Sequence, residues 1–362
     1  MPDSSPPPPS TPGSAPLVSV IVRSMDPPTL ERALDSVAAQ DYAPVEIVLV
    51  AACGASHRSV DASRYPFHLT FVASDVQLPR PRAANAGLAA SHGELIAFLD
   101  HDDEFLPGHL SGLAAALAAD PGAGAAYCRF EVYEAGRLFV TVGHPFDRLA
   151  LHEKSYIHHS AFLFRRALLD TGARYDEALD IHDDWDFVLQ LSEVARFAFV
   201  DQTTFRWHSD IGTSGGGGEG NFDGEKYARQ RDYVRDKWAG AFAAHVERYN
   251  ANVELGMAAM REGALDEARH RLDAALADVA NDPDLLNVRA MLAYQQREYA
   301  AACDFVARAL AERDADARLW FNGGLANAAA GRVAAAREAF GRVLALQPGH
   351  PGATQWLARL PA

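Results

Sequence analysis

Six apolar runs punctuate the first two thirds of the chain: VSVIV (18–22), EIVLV (46–50), HLTFVAS (68–74), ELIAFLD (94–100), AAYCRFEVY (125–133) and RFAFV (196–200). Runs such as Leu95–Leu99, apolar without alternation, fit strands buried on both faces. Between several of the runs the apolar positions switch to helical spacing. LERALDSVAAQ puts Leu30, Leu34 and Val37 on one face, and the preceding Asp26-Pro-Pro-Thr predicts a helix start with Asp26 as N-cap and proline in the first turn. Strands alternating with helices predict βαβ units, an α/β fold with a mostly parallel sheet, from Leu17 to about Tyr249.

After Asn250 the strand signal stops and an Ala-rich helical pattern repeats. Ala268, Ala302 and Ala336 are 34 residues apart (302 − 268 and 336 − 302), and Ala275, Ala309 and Val343 repeat that step. Gly256 and Gly324 differ by 68, twice 34, as do Gly263 and Gly331. A 34-residue helical period resembles the tetratricopeptide repeat, and Trp320, Gly324, Ala336, Phe340 and Pro348 of the last unit fall on its signature positions. Pro283 stands out of phase with Pro348, which predicts one loop of different length. About three units, 250–362, would form an all-α stack with a concave surface for a protein partner, for self-association or for the chain's own first domain.

Composition narrows the function classes. The formal charge of −15 argues against nucleic-acid binding, which needs basic patches. Cys53, Cys128 and Cys303 are scattered, with neither a disulfide frame nor a zinc pattern. No apolar run has the roughly 18–20 residues of a transmembrane segment. Residues 1–16, Pro/Ser-rich, lack the basic and apolar regions of a signal peptide and are expected to be a disordered tail. The expected location is the cytoplasm, with the inner face of the membrane as a peripheral station.

The chemistry concentrates where the fourth apolar run ends, in Asp100, Asp102 and Asp103. Acids at the carboxyl end of a buried strand sit where open α/β sheets bind ligands. A divalent cation shared with a phosphorylated substrate would relieve their repulsion. The competing reading makes them caps of a helix starting near Pro107.

Residues 17–215 carry a set of motifs in one order: VSVIVRSMDPPTLERALDSVAAQDYAPVEIVLV, then RPRAANAGLAASHGELIAFLDHDD, then HHSAFLFRRALLDTGARYDEAL with HDDWDFVLQLS, then FRWH at 205–208. In that order they resemble the family 2 glycosyltransferases of the GT-A fold. The resemblance implies a metal-dependent, inverting transferase that moves a sugar from a nucleotide-diphosphate donor to a hydroxyl on a glycan or protein acceptor. It implies that Asp100 and Asp102 bind the donor, that Asp102 and Asp103 hold Mg²⁺ or Mn²⁺, and that His208 is a further metal ligand. Asp184 matches the general base, and Arg82, with Arg80 in reserve, the arginine on the nucleotide or diphosphate. Asp183 and Asp186 would be helix acids, Trp185 packing or acceptor wall. The glycine run within 209–222 would be a lid or a linker.

The pattern departs from the family at the nucleotide end. Ala51-Ala52 stands where the family has an Asp pair, and Ser24-Met25-Asp26 where it has Thr-Tyr-Asn. Base recognition is then expected to fall to backbone groups or to Arg23 and Ser24. The same departure supports the alternative of a catalytically lapsed GT-A-like binding domain on a repeat scaffold.

Overall fold

The computed structural model describes residues 15–211 and 223–361. Residues 1–14 and most of the glycine run read above as lid or linker lie outside the described residues. Two compact units result, Met1–Pro145 with Ala150–Ala239, and Phe146–Leu149 with Gly240–Ala362. The sequence boundary at 249/250 thus falls inside a continuous helix, and four residues from the first half belong with the second. No helix among the described residues is long and apolar enough to cross a membrane.

In the first unit β1 (Val18–Ser24), β2 (Val45–Ala51), β3 (His68–Val72) and β4 (Leu95–Asp100) run parallel, joined through α1 (Leu30–Ala38) and α2 (Arg80–Ala90). All seven residues of β1 and the Leu95–Leu99 run of β4 are buried, as strands covered on both faces require. Leu30, Ala33, Leu34 and Val37 form the buried face of α1. Helix α2 lies so close to β1 that a Cβ on Gly87 would stand 2.3 Å from Ile21 Cγ2, so only glycine fits there. Asp26 does not cap α1. Its φ is 60°, its carboxylate holds the Arg58 guanidinium at 2.8 Å, and Thr29 takes the cap position.

Beyond β4 come β5 (Glu104–Phe105), α3 (His109–Ala119), β6 (Ala123–Glu134), β7 (Arg137–Val142), α4 (Arg148–Glu153), β8 (Phe162–Arg165), α5 (Asp183–Val194) and β9 (Arg196–His208). Among the described residues nine strands form one sheet in the order β3-β2-β1-β4-β8-β6-β9-β5, with β7 paired on β6. Strand β8 is antiparallel to both its neighbours, so β6 again points the same way as β4. Strands β5, β7 and β8 were not expected from the pattern. They are short or exposed, and pairing partners rather than local sequence make them strands. The FRWH segment is the end of β9.

Helix α6 (Gly224–Glu262) leads into α7 (Leu265–Asp278), α8 (Pro283–Gln295), α9 (Tyr299–Glu312), α10 (Ala317–Ala329), α11 (Val333–Leu346) and α12 (Pro351–Arg359). The 34-residue step is visible atom by atom. Ala268, Ala302 and Ala336 have no exposed surface, nor have Ala275, Ala309 and Val343. Three inter-helix turns close through equivalent bonds, Ala264 N–H to Ala259 O, Glu298 N–H to Ala293 O and Arg332 N–H to Asn327 O, at 2.8–2.9 Å. Each turn needs a left-handed residue, supplied by Gly263 (φ 77°), Arg297 (φ 62°) and Gly331 (φ 75°). Asp282, Asp316 and His350, again 34 apart, cap the next helices through their side chains. Pro283 therefore corresponds to Pro351 at the first helical position, 68 residues on, and not to Pro348; the expected odd loop length does not occur.

The chain from the first half enters this unit through backbone and charge. Asp147 bridges Val279, Phe146 O accepts from Ala280 N–H at 3.0 Å, and Arg148 Nε donates to buried Asp278 at 2.9 Å. Arg248 donates to the same carboxylate.

Candidate active site

Parallel register brings Arg23 of β1 beside Asp100 of β4, both at the carboxyl edge of the sheet. The first turn of α5 supplies Asp183 and Asp184, and α2 begins at the same edge with Arg80. These residues line a cavity of about 520 Å³ together with Met25, Ala52, His101, Asp102, Asp103, His158, Trp207 and Tyr227, among others; Asp183 lies just behind the wall.

Asp100 is tied on three sides. Arg23 Nη2 lies 2.8 Å from its Oδ1 and 3.1 Å from its Oδ2, Arg23 Nε donates at 3.1 Å, and His159 Nε2 lies 3.0 Å from Oδ2. Burial would raise its pKa, but Arg23 and His159 outweigh burial and hold the carboxyl well below the usual range. Asp102 and Asp103 behave oppositely. Burial raises both, and neighbouring carboxylates add to it: Asp100 for Asp102, Asp102 and Asp100 for Asp103, which stands well above the ordinary value. Neither caps α3, which begins after Gly108. Asp103 Oδ1 instead accepts the backbone N–H of His208 at 2.8 Å.

His208 reaches the acids through that backbone group. Its ring Nε2 is 3.1 Å from Glu104 on β5, and the ring is not among the cavity-lining groups. Alternation along β9 explains this: Trp207 faces the cavity and His208 the other side.

Asp184 is half-buried in the cavity wall, with Oδ1 accepting the Trp185 N–H at 2.8 Å. Burial raises its pKa, but His159, Arg80 and His158 outweigh that and leave it below the usual carboxylate range. Trp185 is packing: it is 1% exposed and its Nε1 donates to Leu151 O at 2.6 Å. Asp186, expected on the helix face, is buried and accepts from Trp238 Nε1 and Lys237.

The arginine expectation is corrected. Arg82 is 60% exposed and paired with Glu177 at 2.9 Å, outside the cavity. Of these two arginines, Arg80 is the one in the cavity wall. Two residues turn about 200° around a helix, so 80 and 82 cannot share a face. Burial disfavours the Arg80 charge, but Asp183 and Asp100 more than offset it. Ser24 is likewise absent from the lining; its Oγ lies 2.8 Å from His57 Nε2 and accepts from Asp26 N–H. Asn85 has a supporting part, gripping the Tyr175 backbone through two 2.9 Å bonds.

Sequence reasoning gave no role to His101, His158 or His159. Burial and the neighbouring His159 push His158 down to about 3, so it is neutral, and its Nδ1 accepts from Ser160 N–H at 3.1 Å. The His158-His159 pair was the available signal: the two rings meet edge to face at 5.2 Å between centroids, with His158 in the cavity wall and His159 on Asp100.

Residues 19–172 match the family model described as Glycosyl transferase family 2. The chain is 28% identical over 179 residues to the uncharacterized glycosyltransferase YwdF of Bacillus subtilis, covering 48% of this chain and 67% of that protein. It is 27% identical over 181 residues to the putative colanic acid biosynthesis glycosyl transferase WcaA of Escherichia coli, covering 46% and 64%. The chain thus spans about two thirds of the length of these relatives. Among solved structures, S. aureus TarS 1–349 in complex with UDP-GlcNAc is similar over 89% of this chain and 90% of that one, at 17% identity and a TM-score of 0.47. Over residues 19–172, in a parallel-rich sheet with its acids at the carboxyl edge, the chain is similar to glycosyl transferase family 2.

Proposed function

We propose that the chain is a metal-dependent, inverting glycosyltransferase that moves a sugar from a nucleoside diphosphate to a hydroxyl acceptor. The observation that carries this reading is the convergence on one cavity of Asp102 and Asp103, of Arg80, and of ionised Asp184. Asp102 and Asp103 fit a hard divalent cation: both are oxygen donors whose pKa values are raised by burial and then by neighbouring carboxylates, Asp100 for Asp102 and Asp102 with Asp100 for Asp103, a cost of ionisation that Mg²⁺ or Mn²⁺ would relieve. When bound, such an ion supplies a Lewis acid that offsets charge on the departing diphosphate. His208 supports the pair by its backbone N–H.

The residues divide the work. Arg80 faces the diphosphate with a charge held on by the surrounding acids. Asp184 takes the proton of the acceptor hydroxyl as its oxygen bonds to the anomeric carbon and the bond from that carbon to the diphosphate oxygen breaks. One displacement from the face opposite the leaving group inverts the configuration. Ala52 offers the nucleotide base no side-chain acceptor, so base selection falls to backbone groups and neighbours such as Gln77. The helical unit is read as about three tetratricopeptide-like repeats that dock a protein segment, an acceptor or a second copy of the chain; the 34-residue recurrence of buried residues and turn bonds supports that reading.

The test is calorimetric or thermal-shift binding of uridine, thymidine, guanosine and cytidine diphosphates, each with and without Mn²⁺. One nucleotide should stabilise the protein and need the metal, by about 2.7 kcal/mol at a hundredfold excess over Kd. Arg80→Ala should weaken that nucleotide at least about tenfold, the scale of a charge-assisted hydrogen bond, whereas Arg82→Ala should leave it unchanged. No metal-dependent binding of any of the four would move the reading to a lapsed, non-catalytic domain.

A further inference from the structure

Helix α5 starts without an ordinary cap. Its N-cap residue, His182, sits in the left-handed region at φ 65°, and no cap side chain accepts from the first turn. A non-glycine residue held there costs about 1–2 kcal/mol and persists only where the surroundings over-determine it. The next residue, Asp183, is completely buried, and its Oδ1 has no hydrogen-bond partner. Its other oxygen meets Arg23 Nη1 at 3.3 Å. Arg23 is 5% exposed, and the rest of its guanidinium is spent on Asp100, with Nη2 also 3.1 Å from His159 Nε2. Two carboxylates and a histidine thus hold the guanidinium in place. It joins two carboxylates 83 positions apart (183 − 100), Asp100 beside the metal-binding acids and Asp183 beside Asp184.

We infer that Arg23 is a positioning residue: by linking Asp100 to Asp183 it fixes the strained first turn of α5, and with it the placement of Asp184 relative to the donor-binding acids. The inference rests on the reading of Asp184 as the base. Asp183 then has a use that a generic helix acid lacks: it is the handle by which the sheet holds the catalytic helix. His159, stacked on Phe98 at 5.5 Å between ring centroids, fills the remaining side of the link and sets the orientation of Asp100.

The experiment compares the full chain with Arg23→Lys and Asp183→Asn, two substitutions that keep the volume and shorten or neutralise the link. Three quantities are read: hydrogen exchange of the amides of residues 182–187, the affinity for uridine diphosphate with Mn²⁺ (or whichever nucleoside diphosphate the wild type binds), and the turnover of the corresponding sugar nucleotide. Both variants should speed exchange in that turn about tenfold or more, while exchange in β1 and β4 stays protected. Both should lower kcat about 100-fold, the effect of misplacing a reacting group by about 1 Å, and keep nucleotide affinity within about twofold. The double variant should lose little more than either single one, because the two residues act as one link. Unchanged exchange in both variants overturns the inference, as does a loss of affinity that matches the loss of turnover, which would make Arg23 a ligand contact. A wild type that neither binds nor turns over any sugar nucleotide would sink the proposed function instead, and the exchange measurement would still decide whether the link holds the turn. Should Arg23→Lys fail to fold, Asp183→Asn decides on its own, since it leaves Arg23 on Asp100.

Discussion

The cavity of the first unit and the helical second unit handle buried polar and strained groups in opposite ways. Around the cavity, five acids from two stretches, Asp100, Asp102 and Asp103, and Asp183 with Asp184, crowd against Arg23 and Arg80, and burial together with neighbouring carboxylates raises the pKa values of Asp102 and Asp103. Among the described residues of the helical unit no such cluster of acids recurs along the repeat. There, alanines without exposed surface and equivalent turn bonds return every 34 residues, and charges are held in opposite-sign contacts such as Arg148–Asp278–Arg248, Arg289–Asp273 and Arg269–Glu298. Local electrostatic imbalance on one side and local redundancy on the other mark where a chain is built for chemistry and where for shape.

The largest test of this contrast is Asp184→Asn. Removing the base should lower transfer by about 10²–10⁴-fold, the usual share of general base catalysis, and leave nucleoside diphosphate affinity within about twofold. Equal losses of turnover and affinity would instead place Asp184 among the donor-holding acids. Next in size is Gly324→Ala. Its Cβ would meet the Phe340 ring at 2.5 Å, an overpacking expected to cost about 1–3 kcal/mol in urea unfolding. Gly341 faces open space on a helix, so Gly341→Ala should stabilise by up to about 1 kcal/mol. Neither should alter metal-dependent nucleotide binding; a change there would show that the repeat and the cavity are not the separate solutions described above.

The smallest effect is a pH dependence. Asp102 and Asp103 have raised values in the folded chain, so the folded state binds protons more tightly than the unfolded one. Their contribution to stability is therefore greatest below the ordinary carboxylate value of about 3.9 and declines as pH rises through the raised folded values. A cation that replaces those protons should reverse the trend. The rise in melting temperature on adding Mn²⁺ should be larger at pH 8 than at pH 5, and an equal rise at both would detach the two acids from metal binding.

Periodic features were legible in advance. The buried runs of β1, β2 and β4, the apolar face of α1, the acid cluster after Leu99 and the 34-residue step all lie in short stretches whose pattern reflects one dominant constraint: burial on two faces, on one face, or against the next repeat. What was misread shows the limit. Asp26 has the residue type of an N-cap but is held by Arg58, 32 residues away. Arg82 and Arg80 are equivalent as text, and only the rotation of α2 about its axis, set by the contact of Gly87 with Ile21, decides which one enters the cavity. Arg297 occupies a turn where its two counterparts are glycines, so the periodic glycine signal skipped a turn that the backbone nevertheless makes.

From its sequence alone the chain determined its two grammars, α/β then repeated α, and the location of its acids at the end of a buried strand, because side-chain burial writes a period of about 2 or 3.6 residues directly into the order of amino acids. The tertiary structure alone decided that Arg23 ties Asp100 to Asp183, that His158 faces the cavity while His159 faces Asp100, that His208 offers its backbone rather than its ring to Asp103, and that residues 146–149 pack with the helical unit. These contacts join residues up to 160 positions apart, and their geometry follows from strand register and helix rotation, which no local pattern of apolar and polar residues records.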